Sequence, residues 1–128
     1  MTVENNDFTL YRGKSRDLQF TINDTGASGG TAKDLTGATI TWSMSRTVNS
    51  AALLTKTSAT ASEISVTSPA TGGICVVHID PGDTTNTDTF PATEDGVEYY
   101  HELVVVDAAG DESLVSVGNI TFKEALID

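Results

Sequence analysis

Hydrophobic and polar positions alternate in short runs along this chain, and the cleanest run is residues 34–44, DLTGATITWSM. There Ile40, Trp42 and Met44 fall on one side of an extended backbone while Thr39, Thr41, Ser43 and Ser45 fall on the other, because strand side chains alternate with a period of two. The pattern predicts a half-buried strand carrying the only Trp. It is aimed by a turn in which Asp34 bonds to nearby backbone and Gly37 accepts a positive φ. The same alternation places Leu18, Phe20 and Ile22 together in DLQFTIN at 17–23, and sets Phe8 and Leu10 against Asp7, Thr9 and Tyr11. A core containing these side chains is expected, joined by Leu103 and Val105 from VEYYHELVVVDA at 97–108.

Further strands follow with weaker signals. Residues 46–62 read as a loop with a short edge strand around Leu53 and Leu54, and 63–67 as a strand with Ile64 and Val66 inward. SPATGG at 68–73 is a turn cluster before ICVVHI at 74–79, whose two apolar faces predict a central strand. In the long polar connection 80–96, Asp80 stands as an N-cap and Pro81 at a first helical position, so one helical turn at most is expected. The long strand at 97–108 turns at AGDE, 109–112, into LVSVGNITF at 114–122. There Val115 and Val117 share one parity and Ile120 and Phe122 the other. A bulge at Gly118–Asn119 would bring all four inward; a regular strand would put Leu114 inside in place of the valines. Seven strands separated by turn signals predict a single all-β domain, a two-sheet sandwich over residues 1–128. Residues 1–7, polar and unpatterned, are expected to be a flexible amino-terminal arm, and DTGASGGTAK at 24–33 a linker.

Composition changes this picture little, and charge more. With 128 residues and 38% hydrophobic content the chain can bury one core. No run approaches the ~20 apolar residues of a membrane helix, and MTVENNDF lacks the features of a signal peptide, so aqueous surroundings are expected. The net charge is −11. Residues 1–79 carry six acids and six bases, whereas residues 80–128 carry twelve acids against Lys123 alone. The acidic half would repel a phosphate backbone, which argues against nucleic acid and anionic membranes as partners.

Candidate chemistry is sparse. Asp80, Asp83, Asp88, Glu94 and Asp95 share one loop but not the EF-hand spacing, and solvated turn acids are the preferred reading. Paired carboxylates for glycoside hydrolysis lack an aromatic sugar platform. His78 and His101 sit inside expected strands with no metal-ligand spacing to each other or to Cys75, so cross-strand or core roles are expected. The lone thiol is read as a small apolar residue. No GxSxG elbow supports a nucleophilic triad, and Gly26, Gly29 and Gly30 lack the lysine and helix of a phosphate loop. No catalytic residue, cofactor or metal ligand is assigned. Arg12, Lys14 and Arg16 form the only basic cluster. In an extended segment they would share one face and offer a partner interface; the preferred reading is that they neutralise the protein's own carboxylates, Asp17 or Asp34 among them.

YRGKSRDLQFTI at 11–22, DLTGATITWSM at 34–44 and YYHELVVVDAAGDESLVSVGNITF at 99–122 resemble a family of small tailed-phage and prophage virion proteins. These have immunoglobulin-like sandwiches similar to the amino-terminal domain of baseplate upper proteins. The resemblance is carried by Arg12, Gly13, Asp34 to Ala38, Trp42, Tyr100, Glu102, Leu103, Asp107 and Gly110. Residues 46–62 and the long 80–96 loop depart from it. It implies an immunoglobulin-like sandwich of about seven to eight antiparallel strands and a non-enzymatic virion protein. Such a protein would decorate a capsid or adapt a tail or baseplate, in many symmetric copies bound to other phage structural proteins. A glycan-binding or host-recognition module using the 46–62 and 80–96 loops, with Tyr99 or Tyr100 at the sugar, is the alternative.

Overall fold

The computed structural model describes residues 4–23, 31–86, 89–93 and 95–125. Most of the expected 24–33 linker, and with it Asp88 and Glu94, lies outside them. Among the described residues nine strands are formed: β1 (Glu4–Asn5), β2 (Phe8–Tyr11), β3 (Arg16–Thr21), β4 (Thr39–Ser45), β5 (Leu54–Thr57), β6 (Ile64–Val66), β7 (Ile74–Ile79), β8 (Val97–Val106) and β9 (Glu112–Lys123). The larger sheet has the order β1-β9-β8-β4-β5, with β2 also on β9, and the smaller one has the order β3-β7-β6. Since β1 and β2 occupy successive stretches of one edge, the sandwich has eight strand positions. Both pair parallel to β9, while every other pairing is antiparallel.

Local chemistry explains why these segments start where they do. The Asp34 carboxylate accepts the Thr36 N–H at 2.9 Å and Gly37 takes φ 72°, which turns the chain into β4. Strand β7 is central in its sheet, as its apolar character suggests, but only Cys75, Val77 and Ile79 are buried, and Ile74, Val76 and His78 face partly outward. A single 3-10 turn, Pro81–Thr84, follows Asp80, whose side chain and that of Asp83 form a reciprocal capping box.

The interior lies between the two sheets. Leu18, Phe20, Ile22, Ile40, Trp42, Met44, Leu103 and Val105 are all buried there, with Leu10, Leu35, Phe90, Tyr99, Ile120 and Phe122. Burying one such side chain contributes about 1.5–3 kcal/mol. Near the start of β8 the Tyr99 hydroxyl donates to the carbonyl of Pro91 at 2.7 Å, tying the strand back to the loop before it. This tyrosine corner, two antiparallel-dominated sheets and a buried Trp on the strand next to β8 make the domain an immunoglobulin-like sandwich.

Two expectations change. The bulge in β9 is not at Gly118. Pairing runs regularly through His101↔Gly118 and Tyr100↔Asn119, and the shift lies between Leu103 and Val104, leaving Val115 as the extra residue. Val115 and Ser116 are therefore both buried, Val117 turns partly outward and Leu114 is 38% exposed. Neither valines with a Gly118 bulge nor an inward Leu114 describes this strand. The reason is spatial: a Cβ on Gly118 would overlap the Asn6 carbonyl and come within 2.9 Å of His101 Nε2. Glycine there makes room for a neighbour and not for a bend. Residues 4–7 also do not form a free arm. Strand β1 pairs with Ser116 and Val117, the Asn6 N–H donates to Val117 O at 2.8 Å, and the Asp7 carboxylate accepts the Asn119 N–H at 2.9 Å.

Gly118→Ala should therefore cost about 1–3 kcal/mol by overpacking, read from urea denaturation. Equal stability would mean that Asn6 does not seat over this glycine.

Candidate functional site

The outer face of the larger sheet presents the surface on which strands β4, β8 and β9 display their second set of side chains. Register places Thr41, Val104 and Leu114 in one row across these strands and Ser43, Glu102 and Val117 in the next. Val104 and Val117 are half-buried and Leu114 exposed, so aliphatic surface remains uncovered at the centre of the sheet. Glu98, Glu102 and Glu112 lie on the same face, since each precedes or follows an inward residue of β8 or pairs with an outward one.

At one end of this face the 46–52 loop folds back over it. A shallow cavity of about 130 Å³ opens there, lined by Ser43, Ser45, Ser50, Tyr100 and Glu102 with Val48 and Ala52. The Tyr100 hydroxyl donates to Glu102 Oε2 at 3.1 Å. Partial burial, then that bond and the adjacent negative charge, raise the Tyr100 pKa, so the ring remains a neutral phenol. Ser45 donates to Thr47 O at 2.7 Å, which holds the loop against the sheet. The other tyrosine of the pair, Tyr99, is buried on the opposite side of β8 and offers nothing to a ligand.

The three cations of the basic cluster do not share a face. Arg12 is turned inward and only 9% exposed. Its Nε donates to Glu124 at 2.8 Å, Nη2 to Phe90 O at 2.7 Å and Nη1 to Thr84 O at 3.2 Å, and the guanidinium lies over the Phe122 ring. Arg12 thus ties the long 80–96 loop and the end of β9 to the turn after β2. Arg12 continues the inward parity of Leu10 on β2, and beyond the turn at Gly13, φ 68°, Lys14 and Arg16 lie at the surface. Arg16 donates to Thr9 O at 2.8 Å and covers the Phe8 ring. The carboxylate that Arg12 neutralises is Glu124, not Asp17 or Asp34.

His101 lies at the centre of the larger sheet and is fully buried. The Trp42 indole N–H donates to its Nδ1 at 3.1 Å, and its Nε2 lies 2.6 Å from the Asn6 carbonyl. An indole can only donate and a carbonyl only accept, so the ring is neutral with its proton on Nε2. Burial lowers its pKa, against smaller opposing effects of the Asn6 carbonyl and Asp7. His78 makes different contacts. It bridges Asp17 and Ser65 on the outside of the smaller sheet, a row that only strand register, not sequence spacing, brings together. Burial pushes the Cys75 thiol up to about 12, leaving it inert as a nucleophile.

Of the loop acids, Asp83 is 2.6 Å from Lys56 Nζ and caps the Asp80 N–H, so it is committed to structure. Among the described residues no group of three or more His, Cys, Asp or Glu side chains is placed to hold a metal ion. No described helix is long and apolar enough to cross a membrane.

No protein-family model and no curated protein matches the chain. Among solved structures, murine CRIg is similar with 13% identity over 97% of both chains and a TM-score of 0.42. The sialic acid binding region of a Streptococcus sanguinis adhesin, bound to 3'sLn, is 14% identical over 94% of this chain and 28% of that one, with a TM-score of 0.40. ICOS in complex with ICOS-L and an anti ICOS-L VNAR domain gives 12% over 96% and 56%, with a TM-score of 0.37. Scores this low carry no argument about function, and the fold assignment rests on the strand order and register above.

Two outcomes follow from the buried polar groups. Arg12→Met should cost about 2–3 kcal/mol, because it leaves the Phe90 and Thr84 carbonyls without a donor, measured by urea denaturation. The unfolded chain takes up a proton at His101 near pH 6.5, whereas the folded chain resists it to lower pH. Stability present above that value should fall as pH drops through it towards the depressed folded value. His101→Gln should flatten this decline, and a parent curve already flat there would contradict the burial of a neutral ring.

Proposed function

We propose that this chain is a structural domain of a phage virion whose role in the particle is binding and not catalysis, and that it binds other virion proteins in many copies through the outer face of its larger sheet. The observation that carries the reading is the uncovered aliphatic surface of Val104 and Leu114 in one row and Val117 in the next, on the outer face of the six-stranded sheet that also carries Glu98, Glu102 and Glu112. Aliphatic surface ringed by charge suits docking: the centre gains from burial, and the rim steers a basic partner surface into register. Repetition then makes weak contacts sufficient, because each copy adds its own buried area to a closed or symmetric array. The resemblance in the DLTGA turn, the Trp42 strand and the Tyr100 to Gly110 hairpin supplies the virion context.

The edge also bears on assembly. Because β1 and β2 already lie along β9, docking falls to the face and to the sheet edges at β3, β5 and β6, not to residues 4–7 as a free arm. A second reading, a glycan-binding or host-recognition module, is favoured by the hydroxyl-lined cavity beside Tyr100.

Val104→Asp and Val117→Asp keep the sheet interior intact and should lower incorporation of a tagged copy into virions at least tenfold, with an unchanged melting temperature. Incorporation equal to the parent would refute docking by this face. Glycan-array binding lost in Tyr100→Ala, with no virion incorporation by the parent, would favour the second reading.

A further inference from the structure

The outer face of the smaller sheet carries an arrangement that assembly does not use. Asp17 on β3 and His78 on β7 are direct cross-strand partners, and Ser65 on β6 stands one diagonal step further along the same face. His78 Nδ1 is 2.8 Å from Asp17 Oδ1, and its Nε2 is 2.9 Å from Ser65 Oγ. A carboxylate can only accept a hydrogen bond, so in the neutral ring Nδ1 holds the proton and Nε2 presents its lone pair to the serine O–H. The opposite tautomer would set a lone pair against the carboxylate. Chemistry therefore orders the row as acceptor, oriented base and hydroxyl, the order that activates a serine.

Position adds to orientation. All three residues sit on paired strands, so their spacing is set by the ladder and not by a loop. The bonds His78 N–H to Glu63 O and Thr67 N–H to Ile74 O mark which pairs of β6 and β7 are hydrogen-bonded. By alternation Ser65 bonds to Val76, and the N–H of Val66 turns toward the open edge. That N–H belongs to the residue after the serine, a place from which backbone can donate to a developing oxyanion. Val76, opposite Ser65 and half-buried on the same face, gives a small apolar seat.

We propose that Ser65, His78 and Asp17 form a nucleophilic acyl-acceptor site for small, unhindered esters or thioesters, an activity separate from the binding reading. Ser65 Oγ bonds to the acyl carbon as His78 Nε2 takes the hydroxyl proton. The bond to the alkoxide or thiolate then breaks, and the imidazolium returns that proton to the leaving group. Water, deprotonated by the same nitrogen, attacks the acyl-serine, releases the carboxylic acid and restores the hydroxyl. Val66 N–H faces the oxyanion in both steps. Asp17 is a positioning residue, and its exposure makes its effect the smaller one.

The test uses the full chain with p-nitrophenyl acetate, following p-nitrophenolate release and mapping acetylation by peptide mass spectrometry. The expected result is acetyl on Ser65 and at least a tenfold loss of rate in Ser65→Ala and in His78→Gln. Asp17→Asn should lose a few-fold and shift the pH profile. These surface substitutions should leave the melting temperature near that of the parent, which separates loss of chemistry from loss of fold. Acetylation confined to His78, lysines or the amino terminus, or a Ser65→Ala rate equal to the parent, would overturn the proposal.

Discussion

A buried imidazole that must stay neutral governs how the larger sheet is assembled. His101 receives the Trp42 indole proton on one nitrogen and gives its own to the Asn6 carbonyl on the other, so β4, β8 and the link between β1 and β2 depend on one protonation state. Leaving either partner unpaired in the interior would cost about 1–3 kcal/mol. The rings of Phe8, Phe20 and Trp42 surround the imidazole at centroid distances of 5.5, 6.0 and 6.1 Å, and the ring is shut off from solvent. Gly118 is part of the same constraint, because only a residue without Cβ lets Asn6 approach from the far side. Asn6 is then fixed a second time by its side-chain donation to Ser116 Oγ at 2.6 Å. The histidine thus adds one tie to the backbone ladders that hold β1 and β2 along β9.

Arg12 does for the opposite end of the domain what His101 does for the middle. Its guanidinium satisfies two loop carbonyls and one carboxylate while stacking on Phe122, and Phe122 in turn packs against Tyr99 and Phe90. A planar group with five donors suits this place, whereas a lysine would supply one point charge and leave carbonyls unpaired. The long 80–96 connection, poor in apolar residues, gains its order from such polar ties and from the Lys56–Asp83 pair at its start.

These two anchors explain which parts of the structure were legible in the sequence. Alternation in 17–23 and 34–44 reported the buried set of β3 and β4 because each strand has one wet and one dry face, and period two survives no other arrangement. The Asp80–Pro81 turn was readable because capping chemistry is local. Long-range ties were not. Nothing within a few residues of Arg12 signals that Phe90 O and Glu124 wait for it, so a cation in a polar run reads as surface. Asn6 and Asp7 read as a free arm for the same reason, and Gly118 as a bulge, because the neighbour that needs its space lies 112 positions earlier in the chain. The row Asp17, His78 and Ser65 was likewise invisible: its spacing of 61 and 13 residues has no motif, and only register closes it.

The sandwich separates stability from interaction by sheet face, and this separation decides where function can reside. Strands β2 to β9 turn buried side chains inward, and the buried polar groups His101, Ser116 and Arg12 are occupied by bonds to the protein itself. The other parity is free to vary without disturbing the core. On the larger sheet that free parity is aliphatic at the centre and acidic at the border, the composition of a docking surface. On the smaller sheet it mixes the aliphatic Ile74 and Val76 with a hydrogen-bonded polar row of Asp17, His78 and Ser65. With residues 4–7 held along the β9 edge, the two outer faces and the edges at β3, β5 and β6 are left to carry whatever this domain does.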